Sequence, residues 1–239
     1  MISKIIAFTI LLGLATYWIS DYLAYDAETE LIDDYLKTYL SEYKVIISYL
    51  DDTTLVFKGE NTRAALVFYP GGNVDYNSYK PLLATLASKG IMCILYKMPL
   101  NLAFFNIIAA NGIKKKFPEI KDWYIGGHSL GGLCSSFYLY FNKSEYKGLI
   151  LLGSYVTFDF SNTDLKVISI LGTEDKVINM ENYNKSKGKY PEDFTEIIIE
   201  GGCHSYFGMY GLMTNDGTPT ISNIEQIQYT ANELSKFME

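Results

Sequence analysis

The chain carries a serine in a setting that can make a hydroxyl group nucleophilic. Ser129 lies within residues 126–132, which spell G-G-H-S-L-G-G and contain the pattern G-x-S-x-G. An apolar run at 123–125 precedes the pattern, and a helix-like run at 133–141 follows it. A sharp turn between strand and helix strains the backbone at such a serine and exposes its hydroxyl, while small flanking glycines let the two elements approach closely. The pattern predicts a nucleophile, with a helix N-cap as the alternative role for Ser129.

A serine nucleophile needs a base, and the chain has only two histidines. His128 adjoins Ser129 on the turn, where successive side chains diverge, so we expect His204 to take the proton. Imidazole suits general-base catalysis at neutral pH, and a carboxylate must orient it. Asp175 follows the apolar run at 166–171 and is the first choice for that carboxylate, with Glu174 as its substitute.

Length and charge favour one enzyme domain. A chain of 239 residues, 49% of them hydrophobic, can bury one sizeable core. The net charge is −7, and no basic cluster exceeds residues 114–116, which argues against a nucleic-acid partner. Two distant histidines cannot supply a zinc cluster. We therefore expect no metal and no cofactor, and the sequence leaves the oligomeric state open.

Alternating strand-like and helix-like runs predict an α/β fold, with a mostly parallel sheet of about eight strands and helices on both faces. The first two strands, joined by residues 51–52, predict an antiparallel hairpin at one edge. Residues 26–43 predict an amphipathic helical linker before a catalytic domain at 44–239. Strands are expected at 44–50, 53–58, 64–69, 91–96, 122–126, 147–152, 166–171 and 194–199, and helices at 78–89, 102–116, 130–142, 177–187 and 222–238.

The first 25 residues predict a membrane segment. No residue from Ile5 to Ser20 is charged, and Lys4 precedes this run. We expect an uncleaved single-pass anchor in the cell membrane with the catalytic domain outside the cytoplasm. A cleaved signal peptide, giving a secreted protein, is an alternative, although the only small-residue cleavage site, 13–15, lies deep within the apolar run. A buried structural helix is the other alternative.

From about residue 44 onward the chain resembles the α/β-hydrolase superfamily, whose triad follows the chain order Ser, Asp, His. Residues 69–75 (YPGGNVD), 97–105 (KMPLNLAFF) and 204–208 (HSYFG) resemble a group of small bacterial members that often carry an N-terminal hydrophobic segment. The resemblance implies an oxyanion hole built from backbone N–H groups. It assigns one donor to Leu130, after the nucleophile, and the second to Gly72, with Asn73 next, in the loop after the third strand.

Many superfamily members insert a helical cap after the sixth strand, but here only residues 153–165 separate the sixth and seventh strands. This connection is too short for a cap domain, so we expect an open site. Aromatic residues from the surrounding loops could form an apolar pocket for the acyl or alcohol part of a substrate: Phe104, Phe105, Tyr155, Phe158 and Phe207.

A serine nucleophile predicts acyl transfer through an acyl-enzyme and disfavours the dehalogenases and epoxide hydrolases of this superfamily, which use Asp. We expect a carboxylesterase that acts on small or accessible esters. A lipase, a peptidase, an acyltransferase with a cell-surface acceptor and a catalytically silent binding protein are the alternatives.

Overall fold

The computed structural model describes residues 24–239, so nearly all of the predicted anchor at 1–25 lies outside the described residues. Within this range the chain forms eight strands and five α-helices. The strands are β1 (Ile46–Asp51), β2 (Thr54–Lys58), β3 (Ala64–Tyr69), β4 (Ile91–Tyr96), β5 (Asp122–His128), β6 (Gly148–Leu152), β7 (Lys166–Gly172) and β8 (Phe194–Ile199). The helices are α1 (Thr29–Ser41), α2 (Lys80–Ser88), α3 (Leu130–Phe141), α4 (Met180–Ser186) and α5 (Asn223–Phe237).

The strands form one sheet in the order β1-β2-β4-β3-β5-β6-β7-β8. Strand β2 pairs antiparallel with both β1 and β4, and the remaining pairs are parallel. Along β3, Leu66 and Phe68 pack in one core with α1, α2 and α5, whereas Ala65 and Val67 pack in a second core with α3. Both faces of the sheet are covered, which explains why the inner strands β3, β4 and β6 are apolar and buried throughout. The predicted α/β fold, the edge hairpin and the mostly parallel sheet are confirmed.

Parallel strands direct three loops to the same edge of the sheet. Strand β5 ends at His128, β7 at Gly172 and β8 at Ile199, and each is followed by one of the candidate catalytic residues. Ligands of open α/β sheets bind outside the carboxyl ends of such strands. Between β6 and β7, residues 153–165 contain neither helix nor strand, so the described chain carries no cap domain there, as predicted.

The helix predicted at 102–116 is wrong, because the segment forms short 3₁₀ turns that include Ala103–Asn106 and Ile113–Lys116. The Tyr69 hydroxyl donates to the carbonyl of Ile107 at 2.7 Å and accepts from the N–H of Ala110 at 3.1 Å. A continuous helix would bond these backbone groups internally. The helix predicted at 177–187 is also shorter, since α4 begins only at Met180 and ends at Ser186, where a 3₁₀ turn follows it.

The start of the described chain is attached to the loop after β3. The Tyr25 N–H donates to the carbonyl of Asn73 at 2.7 Å, and the Tyr25 carbonyl accepts from the N–H of Asp75 at 3.0 Å. Helix α1 follows and packs on the domain through Ile32 and Leu36. No helix within residues 24–239 has the length and apolar character needed to cross a bilayer. The predicted segment boundaries at 25 and 43 stay predictions.

Candidate active site

Ser129 lies on a strained turn between β5 and α3. Its backbone has φ 52° and ψ −120°, a region that costs a non-glycine residue about 1–3 kcal/mol. The Ser129 N–H donates to the carbonyl of Leu152 at 2.9 Å, which helps to hold this conformation. A Cβ atom at Gly131 would lie 2.1 Å from the carbonyl oxygen of Tyr69, so a side chain there would force α3 away from β3. The Ser129 hydroxyl makes no capping hydrogen bond to α3, which argues against the N-cap role.

Asp175 and His204 form a buried hydrogen-bonded pair. Oδ2 of Asp175 lies 2.8 Å from Nδ1 of His204, and each side chain is 1% exposed. Oδ1 of Asp175 accepts from the backbone N–H groups of Val177 and Ile178, both at 2.9 Å, which fixes the carboxylate. Glu174, the alternative acid, instead contacts the hydroxyl of the residue before it. The structure therefore brings Asp175 to the histidine.

This pairing leaves His204 able to accept a proton. A carboxylate only accepts hydrogen bonds, so Nδ1 carries the proton and Nε2 keeps its lone pair. Nε2 is buried and has no hydrogen-bond partner among the described residues. His204 and Ser129 line the same pocket, and hydrogen bonds between a nucleophile and its base are often long until substrate binds.

The pocket at Ser129 has a volume of 220 Å³. Tyr155, one of the predicted pocket aromatics, contributes to its wall. Leucine, valine and isoleucine side chains supply apolar surface, and serine and asparagine supply polar atoms. The lining residues are Ser129, Leu130, Leu133, Gly153, Ser154, Tyr155, Val177, Ile178, Asn179 and His204.

The other predicted pocket aromatics do not line this cavity, which corrects the sequence-based prediction. Phe207 is fully buried in the core, with its ring centroid 5.6 Å from that of His128. Phe104 and Phe105 are about half exposed, and their ring centroids lie 4.2 Å apart. Phe158 packs among aromatic side chains of α3.

Size alone does not identify this pocket. Three larger clefts of the described chain, of 310, 330 and 360 Å³, are not lined by Ser129 or His204, although Asp175 lines the 360 Å³ cleft. Within residues 24–239, no group of three or more His, Cys, Asp and Glu side chains is arranged to hold a metal ion. The arrangement of Ser129, His204 and Asp175 therefore marks the smaller pocket as the candidate site.

Backbone N–H groups near Ser129 can be sorted by their existing partners. The N–H of Leu130 opens α3, where the first N–H groups of a helix have no partner inside it. In the loop after β3, the N–H of Gly71 donates to a buried tyrosine hydroxyl at 2.9 Å. The N–H of Asn73 donates to the carbonyl of Asn101 at 2.9 Å, so the alternative donor predicted at Asn73 is corrected. Gly72 lies between Gly71 and Asn73 in this loop, and a Cβ atom at Gly72 would lie 2.9 Å from the Leu130 side chain.

His128 is the second histidine, and the structure places it in the core. It is fully buried, its Nδ1 atom lies 2.8 Å from the Tyr79 hydroxyl, and its ring centroid lies 4.5 Å from that of His204. Burial lowers the pKa of His128 well below 6.5, and the neighbouring charge of His204 lowers it further. His128 therefore stays neutral at physiological pH.

Two residues that support the site were missed by the sequence analysis. The Ser154 hydroxyl donates to the carbonyl of Ser129 at 2.8 Å. The Asp216 carboxylate accepts from the N–H and hydroxyl of Ser205 at 2.7 Å and from the N–H of Lys176 at 3.2 Å, so it joins the loops after β7 and β8. Burial alone would raise the pKa of Asp216, but the bonds from Ser205 bring it below 3.8. No local motif predicts either residue, because their partners lie 11 to 40 positions away along the chain.

Comparisons with known proteins agree with this fold. The family model described as "Alpha/beta hydrolase family" matches residues 65–228. Similar solved structures include TT1662 from Thermus thermophilus, with a TM-score of 0.58 and 12% identity over 82% of this chain and 98% of that one. Another is Est1E from Butyrivibrio proteoclasticus with ferulic acid bound, with a TM-score of 0.57 and 14% identity over 79% of this chain and 97% of that one. At these identities the likeness shows the fold alone. A comparison with curated protein sequences gives no match.

Proposed function

Given that the chain belongs to the alpha/beta hydrolase family, we propose that it is a serine hydrolase that forms an acyl-enzyme on Ser129. One observation carries the proposal. His204 Nε2 is buried and has no hydrogen-bond partner among the described residues, so its lone pair is free. It shares a pocket with Ser129, which lies on a strained turn and whose hydroxyl makes no capping hydrogen bond. The carboxylate of Asp175 holds the imidazole in the required tautomer.

The chemistry follows from these positions. His204 Nε2 takes the proton of the Ser129 hydroxyl as Oγ attacks the ester carbonyl carbon, and the carbonyl oxygen becomes an oxyanion. The N–H groups of Leu130 and Gly72 stabilise that charge, and removing one such donor typically costs about 10²–10³ in kcat. The C–O bond to the alcohol then breaks, and the leaving oxygen receives the proton from Nε2. Water attacks the acyl-enzyme by the same route and releases the acid.

The pocket supports small acyl groups. Pockets for drug-sized ligands measure about 300–1,000 Å³, whereas this one measures 220 Å³. Residues 153–165 form no cap over the site, so the alcohol part of the ester can extend into solvent. We propose a carboxylesterase that prefers short acyl chains and tolerates varied alcohols.

Covalent labelling tests the proposal without knowledge of the substrate. The full chain should react with a fluorophosphonate probe, and Ser129→Ala should abolish both labelling and ester hydrolysis while leaving the thermal unfolding midpoint near that of the unsubstituted chain. Loss of the nucleophile of a triad typically lowers turnover by about 10⁶-fold. A panel of p-nitrophenyl and feruloyl esters would rank acyl groups. Labelling that persists in Ser129→Ala would overturn the assignment.

We also propose that residues 5–20 anchor the enzyme in a membrane with its catalytic domain outside the cytoplasm. The support is the uncharged run itself, preceded by Lys4 and followed by acidic residues. In a bacterial host the chain should fractionate with membranes, and protease added to spheroplasts should remove the domain. Full protection from the protease, or a mature N-terminus at Thr16, would refute the anchor.

A further inference from the structure

A buried tyrosine joins the loop after β3 to the turn that carries Ser129. The Tyr79 hydroxyl accepts from the N–H of Gly71 at 2.9 Å and lies 2.8 Å from Nδ1 of His128. Tyr79 and His128 are both fully buried. A Cβ atom at Gly71 would lie 2.7 Å from each of these two polar atoms, so no side chain fits between the loop and the pair.

Donation from the Tyr79 hydroxyl to His128 gives every polar atom in the contacts among Gly71, Tyr79 and His128 a partner. The Tyr79 oxygen already accepts from Gly71, so its own proton is satisfied by donation to Nδ1 of His128. Burial raises the pKa of Tyr79 well above 10, which keeps that proton in place. His128 is then neutral, in agreement with a pKa lowered by burial. Its proton is on Nε2, a buried atom that has no hydrogen-bond partner among the described residues.

The position of the cluster connects it to both halves of the candidate chemistry. On one side, the bond to Gly71 fixes the residue before Gly72, the proposed oxyanion donor. On the other side, the His128 ring lies 4.5 Å from the His204 ring, where a second positive charge would oppose the imidazolium that forms during catalysis. One hydroxyl thus bonds both to the residue before the proposed oxyanion donor and to the histidine beside the proposed base.

We propose that Tyr79 is a positioning residue, acting through Gly71 and His128 to hold the oxyanion loop and the surroundings of His204 in their working arrangement. The proposal rests on the proposed serine hydrolase function. Tyr79 does not line the pocket at Ser129, so its effect reaches substrate only through these neighbours.

The rate of fluorophosphonate labelling tests this role. In that reaction the Ser129 oxygen forms a bond to phosphorus, the P–F bond breaks, fluoride leaves, and the hydroxyl proton passes to His204. The phosphoryl oxygen gains charge at the place of the ester oxyanion, so the rate reports the position of the oxyanion donors. Tyr79→Phe removes one hydroxyl and should slow labelling by about 10-fold to 10²-fold, since small displacements of catalytic groups cost that much. In ester hydrolysis kcat should fall while KM stays nearly constant.

Tyr69→Phe is the matched control. Tyr69 is also fully buried, and its hydroxyl also makes two hydrogen bonds, but both are to backbone and hold residues 107 and 110. Both substitutions remove a buried hydroxyl, so both should lower the unfolding midpoint. Only Tyr79→Phe should slow labelling.

The outcomes distinguish a failure of the positioning role of Tyr79 from a failure of the serine hydrolase function. Slow labelling confined to Tyr79→Phe supports the positioning role. Equal labelling rates in the unsubstituted chain and Tyr79→Phe would overturn it and leave the serine hydrolase function standing. A slowing of the same size in Tyr69→Phe would also overturn it, because loss of core stability would then explain the effect. If the unsubstituted chain is not labelled at all, the proposed function fails and the positioning role fails with it.

Discussion

Replacing Asp175 by asparagine should leave the protein folded and lower turnover by about 10⁴-fold, because the structure dictates how the new amide must point. The two carboxylate oxygens have different neighbours. Oδ1 accepts from the backbone N–H groups of Val177 and Ile178, and Oδ2 faces Nδ1 of His204. The side chain of an asparagine at this position must point its carbonyl oxygen toward one of these neighbours and its NH₂ group toward the other.

The two orientations differ in free energy by an amount that can be worked out. If the NH₂ group faced the two backbone N–H groups, both would lose their acceptor, at about 1–3 kcal/mol each. The carbonyl therefore takes that side, and the NH₂ group turns to His204. Nδ1 must then accept, the ring proton moves to Nε2, and no lone pair is left for Ser129. Reaching the orientation that keeps the active tautomer therefore costs about 2–6 kcal/mol, which corresponds to a decrease in turnover of up to about 10⁴-fold. The same substitution in the serine-protease triad lowers kcat by about 10⁴-fold.

Steady-state hydrolysis of p-nitrophenyl acetate measures the effect, with thermal unfolding as the check on folding. Glu174→Gln is the control, because it makes the same chemical change at the neighbouring residue, which has no bond to His204. Activity above about a tenth of the unsubstituted value in Asp175→Asn would refute the orientation argument. A larger loss in Glu174→Gln than in Asp175→Asn would show that the acid is Glu174.

Other substitutions test further parts of the structure. Gly153→Ala should lower kcat/KM by about 10²-fold or more, because a Cβ atom there would lie 2.8 Å from Nδ1 of His204 at a φ of +52°. Gly72→Ala should lower kcat by about 10²-fold with little change in KM, because it displaces the proposed oxyanion donor. Ester hydrolysis kinetics measure both effects. Gly188→Ala is the control and should behave like the unsubstituted chain, because its Cβ would meet nothing within 4 Å. Native-like turnover in Gly153→Ala and Gly72→Ala would contradict the packing argument. Since the folded-state pKa of His128 lies well below 6.5, only the unfolded state gains this proton as the pH falls below about 6.5, and stability should fall by up to about 1.36 kcal/mol per pH unit. Urea unfolding at about pH 7 to about pH 5 should show this slope, and His128→Asn should reduce it; an unchanged slope would contradict the buried neutral histidine.

The sheet and the three polar loops were predictable because their signals are local. Each buried strand is a continuous apolar run, and a parallel sheet brings the carboxyl ends of such runs to one edge. Ser129, Asp175 and His204 each follow one of these runs. The choice between Asp175 and Glu174 required coordinates, since both carboxylates occupy the same short loop.

The remaining features depend on contacts between distant parts of the chain. Residues 102–116 contain enough apolar side chains to predict a helix, but the hydroxyl of Tyr69 takes two of the backbone groups that the helix would need. Phe207 follows His204 closely in sequence, yet its side chain enters the core instead of the pocket. Tyr79 lies 49 residues from His128, and nothing in the sequence near either residue predicts their bond.

The backbone contact between Tyr25 and residues 73–75 limits how far this part of the catalytic domain can lie from Ser20. Five residues lead from Ser20 to Tyr25, and an extended chain spans at most about 3.6 Å per residue, so Tyr25 stays within about 18 Å of Ser20. Because Tyr25 is bonded to the segment that directly follows Gly72, the loop proposed to hold the oxyanion donor is attached to the same short connection. If the proposed anchor at residues 5–20 inserts in a bilayer, this short connection would keep this edge of the catalytic domain in a thin layer above the lipid headgroups. Esters displayed in that layer would meet the enzyme at a high local concentration, whereas those far out in the surrounding medium would have to diffuse to it.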